Sequence, residues 1–378
     1  MTLLFLINFI ARIIFSPLLA AIERELEIGH GQAGSFFFLM SAGYLLGLLG
    51  SGFFASRSTH KRTIVVSTAG VGLALLGIAF AANLWAIRCG LLALGLAAGL
   101  YIPSAIATIT SLIEQPHWGK AIAVHELAPN LAFFAGPFAA ELFLTWSTWR
   151  AALMVIGTGA LIASLAYYGF GRGGNFPGQS PFSSAFRMLV RIPAFWLMLG
   201  LFGLGVSSTL GVYAMLPLYL VSERHIDQSW TNTVVALSRS YGPILGLLGG
   251  WVSDRLGPKR TMVIALTWTG VATLSLGPAG DSWISPVVLL QPLFAVWFFP
   301  AAFAALAAIT PSDARNLAVA FTIPFGYVIG GGAIPTFIGI MGDAGAFSVG
   351  FVVTGAFILA GGAAALLLKL PVHSSDGR

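Results

Sequence analysis

Long apolar segments recur along the whole chain, and short breaks carrying charged residues, glycine or proline separate them. Twelve such segments can be delimited, most of them close to the roughly 20 residues that an α-helix needs to cross about 30 Å of hydrocarbon. We place them near residues 2–22, 34–55, 63–82, 85–112, 120–144, 149–170, 194–221, 231–252, 261–278, 284–309, 317–341 and 346–370. The pattern predicts an all-α membrane protein with twelve transmembrane helices.

One longer polar stretch, rich in glycine, proline, serine and arginine, divides six apolar segments from six. We therefore expect an N-terminal six-helix bundle at 1–170, a cytoplasmic linker at 171–192 and a C-terminal six-helix bundle at 193–378. An internal repeat supports this division, because Gly52–Arg57 matches Gly250–Arg255 at an offset of 198 residues. Repeated six-helix halves are typical of transporters that hold a substrate near the membrane midplane.

The composition excludes most soluble classes of protein. Of 378 residues, 57% are hydrophobic and only 8% are charged, so a water-soluble fold would lack polar surface. The only cysteine, Cys89, leaves no intramolecular disulfide, and no Cys/His grouping has the spacing of a zinc site. No spacing of nucleophile, base and orienting group indicates an enzyme, and we expect neither a metal nor a cofactor.

The basic residues indicate how the chain is oriented in the membrane. Thirteen of the 19 Lys and Arg residues fall in loops or tails on the linker's side, and four fall on the opposite side. Because basic loops stay in the cytoplasm, we expect a multi-pass protein of the bacterial inner membrane with both termini cytoplasmic. The basic residues are spread among loops, so we do not expect nucleic acid as a partner.

The loop after the eighth segment resembles a signature of the major facilitator superfamily. That signature has Gly, four residues to Asp-Arg, then Gly and a basic pair, and here it reads from Gly250 through Asp254-Arg255 and Gly257 to Lys259-Arg260. With twelve helices and a central linker, the resemblance covers essentially the whole chain. It implies a secondary transporter that rocks between two open states and has no ATP site.

The same resemblance assigns gating residues. In the family, the Asp and the basic residues of this loop pair with neighbouring helix ends and hold the cytoplasmic side shut. Carried over to this chain, the gating residues are Asp254, Arg255 and Lys259, with Arg57 in the first copy. That copy has Ser56 where the signature has Asp, which weakens the case for a symmetric gate, and plain orientation charge is the alternative.

Two arginines fall inside predicted helices, where a charged side chain costs several kcal/mol and usually faces a cavity. Arg12 lies halfway along the first helix, with Asn8 and Ser16 on the same helix face. Arg239 lies well inside the eighth helix. A guanidinium binds a carboxylate through two parallel hydrogen bonds, so we expect both arginines to bind an anionic substrate. The alternative is that each binds backbone carbonyls or an acidic neighbour and fixes helix packing.

Further polar residues within the predicted helices complete the candidate site. We expect them to line the cavity, although core packing is the alternative for the aromatic members. These residues are Tyr213, Tyr241, Tyr327 and Asn130.

His125 and Glu126 lie in the fifth helix near its cytoplasmic end and are candidates for coupling transport to a proton. Burial can shift the pKa of a carboxyl or an imidazole toward neutrality, which suits this role. Alternatively, Glu126 pairs with Arg12 or with a loop base, and His125 faces lipid headgroups.

We therefore predict an alternating-access secondary transporter, acting as a monomer, for a small carboxylate-like organic anion by proton symport or exchange. The arginine in the eighth helix is similar to that of the oxalate/formate exchangers and monocarboxylate transporters. A drug/proton antiporter is the first alternative, because Pro129, Gly136 and Pro137 partly resemble the signature of such exporters. A membrane sensor or scaffold that does not transport is the second, since a fold does not fix a function.

Overall fold

The computed structural model describes residues 1–178, 189–311 and 315–370, without the side chains of Asn316 and Leu317. Within these ranges the chain forms helices and turns, and no strand is present. The all-α prediction is confirmed. Residues 179–188 of the predicted linker and the tail from 371 lie outside the described residues, so the predicted bundle boundaries stay a prediction.

The described residues form twelve helical spans, as the apolar pattern predicts. The first six are Thr2–Leu26, His30–Arg57, His60–Ala79, Leu84–Leu112, Gln115–Trp146 and Trp149–Phe170. The second six are Pro193–Ser222, Gln228–Arg239 with Gly242–Leu256, Pro258–Ser275, Asp281–Ile309, Ala318–Asp343 and Phe347–Ala365. Ten of these are long and apolar enough to cross a membrane by length and composition. Spans 8 and 9 are the other two of the twelve, and they do not meet the same criteria of length and composition.

Apolar side chains cover the outer surface of the bundle. Leu165 is 72% exposed, Leu247 is 76% exposed and Phe170 is 89% exposed. A continuous apolar surface of this kind is unfavourable in water but is matched by lipid. We call the side that carries Met1 and the described linker ends the linker side. The opposite side, which carries His30 and Asp343, is the far side.

Four of the spans share one kind of interruption at a proline. In each case a new helical segment starts two residues before the proline: Pro17, Pro103, Pro129 and Pro300 follow segments that begin at Phe15, Tyr101, Leu127 and Phe298. Proline has no backbone N–H, so the carbonyl four residues earlier loses its helical partner. In span 1 this interruption lies next to Ser16.

Spans 7 and 11 each contain a π-helical turn, and the two turns pack against each other. The turns are Ser207–Gly211 and Tyr327–Ala333. A Cβ placed on Gly330 would lie 2.4 Å from Gly203 O, and one on Gly211 would lie 2.4 Å from Gly330 O. The glycine run of span 11 thus permits a close approach of the two backbones.

Spans 2 and 4 also pack backbone to backbone through glycines. A Cβ on Gly43 would lie 2.1 Å from Leu92 O, and one on Gly95 would lie 2.0 Å from Met40 O. These distances are too short for any side chain, so the contact depends on small residues at both faces.

We expect Gly43→Ala to destabilise the protein by about 1–3 kcal/mol, because the added methyl forces spans 2 and 4 apart. Thermal unfolding of the purified protein in detergent measures this. Gly50→Ala is the matched control, because Gly50 lies in the same helix with nothing within 4 Å of its Cβ position. Equal melting temperatures of the two variants would contradict the packing argument.

Candidate functional site

A small cavity, about 30 Å³ in volume, lies at the middle of the bundle, next to Arg12. Spans 1, 2, 7 and 11 contribute its walls, so both halves of the chain form it. Its lining residues are Phe9, Arg12, Ile13, Phe37, Met40, Ser41, Tyr44, Leu210, Tyr327 and Gly331. Arg12 is the only charged residue among them, so the cavity combines one cation with largely apolar walls.

Aromatic rings surround the Arg12 guanidinium. Its central carbon lies 4.6 Å from the ring centre of Tyr44, 4.8 Å from that of Phe9 and 5.7 Å from that of Tyr327. Its Nε donates a long hydrogen bond of 3.5 Å to Asn8 O, and the Tyr327 hydroxyl also interacts with it. Among the described residues no carboxylate lies within 4.0 Å of it, although its side chain is only 8% exposed.

Arg239 occupies a separate place between spans 5, 7 and 8. Its guanidinium lies 5.1 Å from the Phe133 ring centre and 5.3 Å from that of Tyr213, and it donates a 3.3 Å hydrogen bond to Thr209 O. Its Nε and the neighbouring Tyr213 hydroxyl are buried without a hydrogen-bond partner in the described part of the chain. Arg239 does not line the Arg12 cavity.

The two arginines are linked through a pair of rings. Phe9, which contacts Arg12, packs edge-on against Phe133, which contacts Arg239, at a centroid distance of 5.2 Å. The structure therefore places both guanidiniums around one central aromatic cluster but not in one cavity.

The other predicted substrate residues are distributed around this cluster. Of that set only Arg12 and Tyr327 line the cavity. Asn8 donates to Ala98 O at 3.3 Å, and Ser16 donates to Tyr213 O at 2.7 Å. Tyr241 donates to Leu289 O, and Asn130 donates to Glu126 O at 3.3 Å.

His125 and Glu126 are adjacent at the break in span 5. The His125 ring is 1% exposed and stacks on Phe5 at 4.5 Å, so it does not face lipid headgroups. Its Nδ1 lies 3.3 Å from Glu126 Oε1, and its Nε2 lies 3.3 Å from the Tyr101 hydroxyl. The Glu126 side chain is 50% exposed, which leaves it accessible to a proton.

Comparison with known proteins decides the family. The model of the Major Facilitator Superfamily matches residues 1–244 and 240–378, which together span the chain. The chain belongs to the Major Facilitator Superfamily. This confirms the resemblance carried by the loop signature and shows a transporter rather than an enzyme.

Two curated proteins are similar to parts of this chain at low sequence identity. A gallate transporter from Pseudomonas putida is 23% identical over 63% of this chain and 62% of its own length. An uncharacterized MFS-type transporter, YqjV, from Bacillus subtilis (strain 168) is 28% identical over 30% of each chain. The match thus spans less than two thirds of either relative.

Solved superfamily structures share the fold. A bacterial homologue of the human lysosomal transporter Spinster, described as inward-facing and unoccupied, has a TM-score of 0.82 at 14% identity, covering 97% of this chain and 95% of its own. A POT family transporter in complex with a thioalcohol-conjugated peptide has a TM-score of 0.78 at 12% identity, covering 96% and 94%.

The predicted gating residues lie apart on the linker side. Asp254 and Arg255 are exposed, and Arg255 packs over Trp251 of its own helix at 4.3 Å. Arg57 packs over Phe53 at 3.6 Å, again within its own helix. None of these residues, nor Lys259, forms an ion pair within the described residues. Their gating role in the superfamily mechanism stays a prediction, because this conformation does not bring them together.

A polar contact on the far side joins the two halves and was not predicted from the sequence. The Asp343 carboxylate, at the end of span 11, accepts from His30 N at 2.6 Å and from Gly31 N at 2.9 Å, at the start of span 2. A carboxylate at a helix N-terminus satisfies free amides and interacts favourably with the helix dipole. We call this contact the far-side latch.

Neighbouring groups pack around the latch. His30 Nδ1 lies 2.9 Å from Glu23 Oε2. The Glu223 carboxylate accepts from Ser348 N at 3.1 Å. In the sequence, a glycine on each flank of His30 is the one local sign of a close approach.

All hydrogen bonds that cross between the two halves of the described chain lie in the middle or toward the far side. Besides the latch, Asn232 donates to Glu141 at 2.8 Å, and Ser16 donates to Tyr213 O. Thr336 donates to Gly34 O at 3.3 Å. These contacts close the far side, and within the described residues no hydrogen bond between the halves joins their linker-side ends.

We expect Asp343→Asn to weaken the far-side closure by about 1 kcal/mol, or roughly fivefold in the equilibrium, because it removes the charge that faces the helix terminus. A cysteine at Ser41, in a Cys89→Ser background, reports this through its labelling rate with an impermeant thiol reagent applied from the far side.

The matched control is Asp281→Asn, which changes an exposed acid at the far-side start of span 10. Labelling that is equally slow in both variants would contradict a closing role for Asp343.

Proposed function

We propose that this protein is an alternating-access secondary transporter that carries a small organic anion, with the carboxylate bound at Arg12. The observation that carries the proposal is a guanidinium, only 8% exposed, that faces a central cavity without a carboxylate partner in the described chain. An uncompensated buried cation is costly, and an anionic substrate compensates it. Arg239, on the other side of the Phe9–Phe133 pair, adds positive potential to the same region.

The similarity to a gallate transporter supports an organic anion as the substrate class, since gallate is an organic anion. The drug/proton antiporter remains the second candidate because of the proline and glycine pattern of span 5. It has less support, because none of the residues that line the cavity is acidic and able to attract a cationic drug.

We further propose that Glu126 and His125 couple transport to a proton. Glu126 is half exposed, contacts His125, and lies within electrostatic range of the Tyr44 and Tyr327 hydroxyls beside Arg12. A proton on Glu126 therefore changes the potential where the substrate carboxylate binds. This arrangement supports symport of an anion with a proton.

The linker side corresponds to the cytoplasm in this proposal, and the membrane is the bacterial inner membrane. The excess of basic residues on that side supports the orientation. Because spans from both halves of one chain form the cavity, a monomer is sufficient for transport.

We expect carboxylates to raise the melting temperature of the purified protein, and Arg12→Gln to abolish this effect. A ligand at a hundredfold excess over Kd contributes about 2.7 kcal/mol to the free energy of unfolding. The panel contains gallate, succinate, glucose and tetraphenylphosphonium.

Arg88→Gln is the control, because Arg88 also packs on an aromatic ring, Trp85 at 5.1 Å, but does not line the cavity. Stabilisation by tetraphenylphosphonium alone would replace the anion proposal with the antiporter.

We expect Glu126→Gln to abolish accumulation of labelled gallate driven by a pH gradient in proteoliposomes, while exchange of labelled for unlabelled gallate persists. The reason is that the amide cannot carry a proton. Glu114→Gln, an exposed acid just before span 5, is the control. Accumulation by Glu126→Gln at the parent's level would exclude this residue from coupling.

A further inference from the structure

We infer that the Arg12 cavity selects a flat aromatic monocarboxylate, with Tyr44 and Tyr327 recognising the ring. This inference rests on the proposed anion function and narrows its substrate class. Three features of the cavity carry it: the number of charges, the composition of the wall and the position of the hydroxyl groups.

The cavity has charge for one carboxylate only. Arg12 is its single cation, and Arg239 lies outside the lining. A second carboxylate on the same ligand would find no second cation, and much of the remaining wall, including Ile13, Met40 and Leu210, is apolar. Burying an unpaired carboxylate against such residues is strongly unfavourable. The cavity therefore disfavours dicarboxylates.

The wall beside the guanidinium is aromatic. Tyr44 and Tyr327 contact each other at a centroid distance of 5.0 Å with a 32° tilt, so their rings form one continuous wall. A carboxylate that makes two parallel hydrogen bonds lies in the guanidinium plane. In an aryl carboxylate, conjugation holds the ring close to that plane, so the ring extends along the wall.

Stacking distinguishes an aromatic ligand from an aliphatic one of the same charge. Offset or edge-to-face ring contacts add affinity beyond the apolar area that they bury. Two such contacts, to Tyr44 and Tyr327, correspond to about a tenfold difference in Kd between benzoate and cyclohexanecarboxylate.

Hydroxyl groups in the wall fit polar substituents on the ring. Three of the lining residues, Ser41, Tyr44 and Tyr327, carry a hydroxyl group. Hydroxylated benzoates therefore find hydrogen-bond partners around the ring while the carboxylate is held by Arg12. Gallate, the compound carried by one superfamily relative, belongs to this class of molecule.

Calorimetric titration of the purified full chain with benzoate, cyclohexanecarboxylate and succinate tests the inference. We expect benzoate to bind about tenfold more tightly than cyclohexanecarboxylate, and succinate to bind most weakly. In Tyr44→Leu the preference for benzoate falls to about threefold, because the contact to Tyr327 remains, whereas Tyr44→Phe retains the full preference. Arg12→Gln loses both monocarboxylates.

Tyr168→Leu is the control, because Tyr168 is 64% exposed on the outer surface of span 6. The melting temperature of each unliganded variant shows whether it folds, and Tyr44→Phe keeps the test valid if Tyr44→Leu does not. Equal affinities of the parent protein for benzoate and cyclohexanecarboxylate would overturn the aromatic selectivity but not the anion function. Tight succinate binding overturns the single-carboxylate argument, and binding of no carboxylate at all overturns the anion function on which both rest.

Discussion

Two guanidinium groups buried near the middle of the bundle have no carboxylate partner among the described residues, and aromatic rings surround them instead. A ring face stabilises a cation by about 0.5–2 kcal/mol, much less than a buried carboxylate would if it satisfied the guanidinium's hydrogen bonds. The rings keep Arg12 and Arg239 in place without neutralising them. The central region therefore keeps a positive electrostatic potential, which favours anions over cations.

Each arginine also contacts a ring from the opposite half of the chain. Arg12 of span 1 reaches Tyr327 of span 11, and Arg239 of span 8 reaches Phe133 of span 5. Any rocking of one half against the other changes both contacts at once. Such a movement thus alters the surroundings of the charge that we propose as the substrate site, which would connect ligand binding to conformation.

Much of the architecture follows from local features of the sequence. Apolar runs set the twelve spans, proline sets the interruptions, and a short loop signature identifies the superfamily. Burial of Arg12 and Arg239 was also predictable, because a charged side chain inside an apolar span usually faces the interior of the bundle and not the lipid. Their separation was not, since it depends on Phe9 and Phe133, which are far apart in sequence and whose apolar side chains carry no signal of contact. Likewise, Asp343 and His30 are separated by 313 positions, and each taken alone is an ordinary charged residue at a helix end.

The far-side latch is asymmetric in its chemistry. Its donors are main-chain amides, which every amino acid except proline supplies, whereas its acceptor is the side chain of Asp343 alone. The two glycines that flank His30 are restricted for a different reason, because a Cβ on either would approach the carboxylate to within 2.8 Å. We therefore expect the latch amides to tolerate a change of side chain at position 30, whereas a change at position 343 removes the acceptor. Methods that infer contacts from correlated substitutions would therefore overlook this contact, because only one of its partners is a side chain.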